Sequence, residues 1–96
     1  MACSMNEIVN YRIKVHGRVQ GIGYRYSALN MANHLSLSGY VKNLSSGAVM
    51  LELEGPYHEV HQMIEWCKTG PGTGNVDDVE IDEGEVKHYT NFEVRY

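Results

Sequence analysis

Length, composition and charge limit the classes of protein that this sequence can encode. The chain has 96 residues, 43% of them hydrophobic, which suffices for one compact domain with a single core. Its formal net charge of -4 disfavours non-specific nucleic-acid binding, because phosphate neutralisation supplies most of that affinity. No apolar run approaches the ~20 residues of a membrane-spanning helix, and no signal peptide is visible at the start. We therefore expect a cytoplasmic domain that binds neither nucleic acid nor membrane.

The apolar pattern predicts a loose arm, residues 1–9, followed by a single domain, residues 10–96. Alternation with a period of two indicates strands, whereas apolar residues at i, i+3 and i+4 indicate helices. In chain order the predicted elements are strand 10–16, helix 24–35, strands 40–43 and 48–54, a helix between Gly55-Pro56 and Gly70-Pro71, and strands 76–83 and 92–96. This order predicts an α+β fold, a split β-α-β sandwich with two helices on one face of a mainly antiparallel sheet.

A glycine-rich stretch, GRVQGIGYR at residues 17–25, joins the first predicted strand to the first predicted helix. Its glycines allow several backbone N–H groups to point to one side, and the helix start adds unpaired N–H groups and a positive dipole end. Arg25 adds a planar fork of donors, although a cation is unfavourable at this end of a helix unless an anion binds there. We therefore predict a phosphate site formed by Arg25 and by the backbone N–H groups of five preceding residues. These are Gln20, Gly21, Ile22, Gly23 and Tyr24.

Three well-known phosphate loops do not fit this stretch. A nucleotide P-loop requires Lys-Ser or Lys-Thr after the glycines, and neither is present. A dinucleotide-binding loop requires a third glycine where Tyr26 stands, and a cysteine phosphatase requires a thiol where Val19 stands. The loop therefore offers an anion site without a covalent nucleophile or a Mg²⁺ ligand.

Residues 17–25 closely resemble the signature of acylphosphatases, small enzymes that hydrolyse carboxyl-phosphate anhydrides. GYVKN at residues 39–43 with Gly47, and Glu65-Trp66 with Gly70-Pro71, extend the resemblance over most of the chain. It implies a ferredoxin-like fold with five strands and metal-independent hydrolysis of small acyl phosphates with no cofactor. It also implies that Arg25 holds the phosphate and that Asn43 orients the attacking water; residue pattern alone would leave Asn43 as an ordinary strand-end asparagine.

The sequence departs from the family pattern in two turns. Ser46-Gly47 stands where the family usually carries Asp-Gly, and we expect Gly47 to preserve the turn because it keeps the residue that tolerates a positive φ. Gly72 and Gly74 occupy the region in which the family usually has a second proline and an alanine, so we expect a more mobile loop there.

The remaining candidates for chemistry have ordinary explanations. His58 and His61 share a helical face but lack an evident third metal ligand, so we expect surface histidines. Cys3 and Cys67 are far apart in the sequence and are expected to be reduced thiols.

The function predicted from the sequence is acylphosphatase activity of a monomer, with phosphate or sulfate as competing anions. One alternative is a non-catalytic module of the same fold that only binds a phosphate-bearing ligand. Another is an RNA-binding domain of this fold, which would need exposed aromatics on the central strands and a basic sheet face. Ile13, Val15 and the acidic balance argue against the RNA-binding alternative.

Overall fold

The computed structural model describes residues 7–21, 23–72 and 75–96. Within these ranges the elements are β1 (Ile8–Arg18), α1 (Tyr24–His34), β2 (Ser38–Asn43), β3 (Val49–Pro56), α2 (Tyr57–Thr69), β4 (Asn75–Gly84) and β5 (Phe92–Arg95). The strands form one sheet in the order β4-β1-β3-β2-β5, in which β2 and β5 are parallel and the other neighbours are antiparallel. Helix α1 packs on β2 and β5, while α2 packs on β1, β3 and β4. The predicted fold class is confirmed.

The first strand begins earlier than the sequence indicated, so the expected arm at residues 1–9 is wrong at its end. Ile8 and Val9 belong to β1 because they pair with Pro56 and Gly55 at the end of β3. The backbone N–H of Tyr57 also donates to the carbonyl of Glu7, at 3.0 Å. Residues 1–6, including Cys3, lie outside the described residues, as does Gly74 of the predicted mobile loop.

Apolar side chains on the helix-facing side of the sheet form the core. Ile13, Val15, Leu51 and Leu53 are completely buried, as period-two alternation predicts for strands with one covered face. The helices contribute the predicted apolar stripes, of which the fully buried members are Ala28, Ala32, Val60, Met63 and Cys67. The two helices therefore cover the apolar side of β1 and β3 and leave the other side of the sheet uncovered by helix.

The uncovered side contains a buried polar network that alternation does not predict. Glu52 and Glu54 are only 1% and 2% exposed. Asn10 Nδ2 donates to Oε2 of both carboxylates at 2.9 and 3.0 Å, and Lys87 Nζ donates to Glu52 Oε2 at 2.6 Å. The backbone N–H groups of Lys87 and Tyr89 donate to Glu54 at 2.6 and 2.7 Å. The two glutamates thereby hold the segment between β4 and β5 against the sheet.

We expect Glu54→Gln to reduce the acid sensitivity of the fold. Burial alone would raise the pKa of Glu52 and Glu54, but the hydrogen bonds from Lys87, Asn10 and Tyr89 outweigh it and hold both pKa values below the ordinary value. Carboxylates with a lowered folded pKa contribute stability at neutral pH that is lost as the pH falls through that pKa. The variant should be about 1–3 kcal/mol less stable at pH 7, because an amide cannot accept all the bonds of the carboxylate.

Urea unfolding at pH 7 and at about pH 3 measures both effects, with the lower pH placed below the ordinary glutamate pKa of ~4.3. The free energy of unfolding of the variant should fall less on acidification than that of the native protein. Glu83→Gln, which changes an exposed carboxylate on β4, is the matched control. An equal fall for Glu54→Gln and the native protein would contradict this role of Glu54.

Candidate active site

The glycine-rich stretch leads into α1 through a left-handed residue. Gly23 is the N-cap, with φ 81° and ψ 14°, a conformation that costs a side-chain-bearing residue far more than glycine. The first helical hydrogen bond runs from the N–H of Ser27 to the carbonyl of Gly23, at 3.0 Å. The N–H groups of the first turn therefore have no acceptor within the helix, and no side chain among the described residues caps this end. Free N–H groups at a helix start favour anions, so this end of α1 is a candidate anion site.

A cavity of about 120 Å³ lies at this helix end and brings the two predicted catalytic residues together. Arg25 comes from the first turn of α1 and Asn43 from the last position of β2. At Gly21 and Gly23 no described atom beyond the adjoining residues would lie within 4 Å of an added Cβ, so both glycines border open space. The lining residues are Val19, Gly21, Gly23, Tyr24, Arg25, Tyr26 and Asn43.

The predicted phosphate loop also includes Ile22 and Tyr24. Ile22 lies outside the described residues. Tyr24 contributes its backbone to the helix end, but its side chain is 2% exposed and its hydroxyl donates to the carbonyl of Cys67 at 3.0 Å. The Tyr24 side chain therefore joins the two helices, whereas its N–H group belongs to the free first turn of α1.

Asn43 is fixed by the hairpin that joins β2 to β3. It is exposed, it pairs with Val49, and it precedes a turn closed by a bond from the N–H of Leu44 to the carbonyl of Ala48, at 2.8 Å. Gly47 has φ 99°, so it supplies the positive φ that we predicted this turn would keep. A short hydrogen-bonded turn limits the movement of Asn43 relative to the sheet.

The Gln20 side chain connects the predicted phosphate loop to this hairpin, a role that the sequence did not indicate. Its Nε2 donates to the carbonyls of Leu44 and Ala48, at 2.7 and 2.8 Å. These carbonyls belong to the two ends of the turn that follows Asn43. Gln20 therefore positions the loop that carries the N–H groups relative to the strand end that carries Asn43.

We expect Gln20→Met to lower kcat by about tenfold, because methionine keeps the length of the side chain but donates no hydrogen bond. Small displacements of a reacting group have effects of this order or larger. The inhibition constant for phosphate should change less than kcat, since the backbone N–H of residue 20 is retained. Gln62→Met, at an exposed position of α2, is the matched control. An unchanged kcat would show that the hairpin keeps Asn43 in place without Gln20.

The C-terminal residues contact the Arg25 side chain, an arrangement that the sequence did not indicate. The Arg25 guanidinium lies over the Tyr96 ring, with Cζ 4.7 Å from the ring centroid, and its Nη1 donates to the carbonyl of Arg95 at 3.4 Å. This contact exists because β5 runs parallel to β2, with Arg95 paired to Lys42 beside Asn43. The chain end thereby comes next to α1, 70 residues away in sequence.

Two other places in the described structure are poorer candidates for a functional site, namely the surroundings of His61 and a second cavity. His61 packs between the rings of Tyr11 and Tyr57, with centroid distances of 5.5 and 4.1 Å, and among the described residues no three metal-ligating side chains come together. A larger cavity of about 190 Å³ lies on the helix-free side of the sheet. Its charged lining residues are two cations and two carboxylates, Arg12, Lys14, Glu80 and Asp82. These charges offset one another, so this cavity is a poor site for an anion and this sheet face is not a basic one.

Comparison with known proteins identifies one family of hydrolases over most of the chain. The acylphosphatase family model matches residues 11–94. A curated acylphosphatase of Trichormus variabilis is 38% identical over 90 residues, which cover 94% of this chain and 89% of that protein. A curated acylphosphatase of Archaeoglobus fulgidus is 36% identical, over 93% of this chain and all of the relative. The structure of an acylphosphatase from Coxiella burnetii has a TM-score of 0.89 at 37% identity, covering 94% of both chains.

The chain belongs to the acylphosphatase family, and the predicted family, enzyme class and function are confirmed. The fold also matches full-length HypF in its phosphate- and nucleotide-bound form, with a TM-score of 0.88 at 32% identity. That match covers 97% of this chain but 12% of the HypF chain. Neither described helix has the length and apolar character that a membrane span requires.

Proposed function

We propose that the chain hydrolyses small acyl phosphates at the α1 cavity by direct in-line attack of water on phosphorus. The observation that supports this most is that Arg25 and Asn43, from separate elements, line one cavity with Gly21 and Gly23. In this proposal Arg25 and the N–H groups of residues 20–25 hold the phosphoryl oxygens. Asn43 orients the attacking water through its amide, which can both accept and donate a hydrogen bond.

The reaction asks the protein mainly for positioning and charge stabilisation. A new bond forms between the water oxygen and phosphorus, while the bond from phosphorus to the carboxylate oxygen breaks. The leaving carboxylate has a conjugate-acid pKa near ~4 and departs without a general acid. The water proton passes to a phosphoryl oxygen of the substrate. The described lining residues include no carboxylate, imidazole or thiol, which agrees with a mechanism without a covalent intermediate.

Hydrolysis of benzoyl phosphate in H₂¹⁸O with EDTA present tests this proposal. We expect release of benzoate and phosphate, with the heavy oxygen in phosphate because water attacks phosphorus. Heavy oxygen in benzoate would show attack on the carbonyl carbon and would refute the mechanism. Benzyl phosphate is the matched control substrate, because its alcohol leaving group would need a general acid and should not be released. Binding of phosphate without any turnover would favour the non-catalytic module.

The same assay tests the predicted independence from metal and thiol chemistry. Burial raises the pKa of the Cys67 thiol to about 12, so it is a poor nucleophile at neutral pH. Thiol-blocking reagents and chelators should leave turnover intact, and phosphate or sulfate should compete with substrate. A large loss of activity with EDTA that a divalent ion restores would contradict this. The cytoplasmic location and the monomeric state stay predictions.

A further inference from the structure

Two exposed aromatic rings lie beside the cavity, and neither is among the groups proposed to contact the phosphoryl oxygens. Tyr26 is 55% exposed and lines the cavity together with Arg25 and Asn43. Tyr96 is 87% exposed, and its ring packs against the Arg25 guanidinium. The hydroxyl oxygens of the two tyrosines are 2.6 Å apart. We refer to Tyr26 and Tyr96 as the aromatic pair.

The aromatic pair is oriented by contacts at its polar ends. The two hydroxyls form a hydrogen bond with each other, so each has fewer donor and acceptor positions left for a ligand. One face of the Tyr96 ring is occupied by Arg25, yet most of this side chain remains accessible. The surface that the pair offers next to the cavity is therefore mainly aromatic carbon. Apolar surface with a few convergent polar groups is the usual composition of a small-molecule site.

An acyl phosphate has two parts, and the cavity accounts for only one of them. Arg25 and the loop N–H groups suit the charged phosphoryl oxygens. The acyl part of benzoyl or acetyl phosphate is uncharged, and when the phosphoryl group is bound in the cavity this part must lie at its rim. Tyr26 contributes to that rim, since it is both a lining residue and more than half exposed.

We propose that the aromatic pair is the subsite for the acyl group and that it favours aromatic acyl phosphates over acetyl phosphate. This inference rests on the proposed function. An aromatic acyl group can stack on the Tyr26 ring or meet its edge, whereas a methyl group has too little surface to gain from either contact. Aromatic contacts of this kind correspond to about twofold to tenfold in binding.

The test compares benzoyl phosphate with acetyl phosphate for Tyr26→Ala and Tyr26→Phe. For Tyr26→Ala we expect kcat/KM for benzoyl phosphate to fall by about twofold to tenfold, and that for acetyl phosphate to fall less. Tyr26→Phe keeps the ring and should retain the preference for benzoyl phosphate. Tyr57→Ala, an exposed tyrosine at the start of α2, is the matched control and should alter neither substrate. A melting curve and the inhibition constant for phosphate should stay near native for both Tyr26 variants.

Equal losses for the two substrates in Tyr26→Ala would overturn the inference, because they would assign the ring to the positioning of Arg25. Unchanged selectivity in a variant that still hydrolyses both substrates would overturn it as well and leave the proposed function intact. If the native protein hydrolysed neither substrate, the proposed function would fail together with this inference.

Discussion

Arg25→Lys is expected to lower kcat/KM for benzoyl phosphate by about 10²-fold or more. Lysine keeps the charge but replaces a planar fork of donors by a point charge, which cannot hold two phosphoryl oxygens at once. Removal of one preorganised donor from the site of developing charge has effects of ~10²–10³ in other enzymes. The inhibition constant for phosphate should rise in the same variant, because the bound anion uses the same guanidinium.

The stability of Arg25 variants separates this role from a structural one. A cation near the N-terminus of a helix is unfavourable by about 0.3–1 kcal/mol, and its loss offsets the loss of the contact with Tyr96. We therefore expect Arg25→Met to lose activity while its free energy of unfolding stays within about 1 kcal/mol of native. Arg12→Lys, at an exposed position on the helix-free side of the sheet, is the matched control. Near-native activity of Arg25→Lys would show that bidentate holding of the phosphate is the wrong description.

The order of strands and helices was predictable because each periodicity is local. The apolar stripe of α2 and the alternation in β1 can be recognised without knowledge of any partner strand. The start of β1 at Ile8 could not be recognised in this way, because it depends on pairing with Pro56 in β3. Local sequence contains no signal for a contact that is made 48 residues away.

The burial of Glu52 and Glu54 shows a second limit of local patterns. Alternation correctly places these glutamates on the opposite side of the sheet from Leu51 and Leu53. It does not show that the side without helices is also shielded from solvent at these two residues. The segment that carries Lys87 and Tyr89 covers them, and its placement follows from the connection between β4 and β5. A charged residue in an alternating strand is thus assigned to a side, whereas its exposure requires the tertiary structure.

The residues of the candidate site were predicted from two different kinds of information. Glycine spacing and the charge at a helix start identify the Arg25 loop by physical argument, whereas the family resemblance identifies Asn43. The side-chain role of Gln20 and the position of Tyr96 follow from neither source, because each depends on which elements are adjacent in the sheet. The parallel pairing of β5 with β2 places the chain end beside the first helix, and no short motif encodes that pairing.

Asn43→Ala is expected to lower kcat by at least about 10²-fold while the inhibition constant for phosphate hardly changes. Asn43 carries no charge, so it should add little to the binding of an anion that, in the proposed mechanism, Arg25 and the loop N–H groups hold. Its proposed task is to fix one water molecule opposite the leaving carboxylate, and a displacement of ~1 Å at a reacting atom can cost on the order of 10²-fold in rate. Gln20→Met should show the same separation of kcat from phosphate binding, but with a smaller loss, because it moves Asn43 rather than removing it.

The decisive experiment measures kcat, the inhibition constant for phosphate and a melting curve on the same Asn43→Ala preparation. The fold should persist, since Asn43 is an exposed residue at the end of β2 and its backbone bonds do not depend on the side chain. Asn33→Ala, at an exposed position in the last turn of α1, provides an asparagine control that should leave all three quantities unchanged. Equal losses in kcat and in phosphate affinity would make Asn43 a binding residue. Loss of the folded state would make it a structural residue, and the water would then need another partner among the groups that line the cavity.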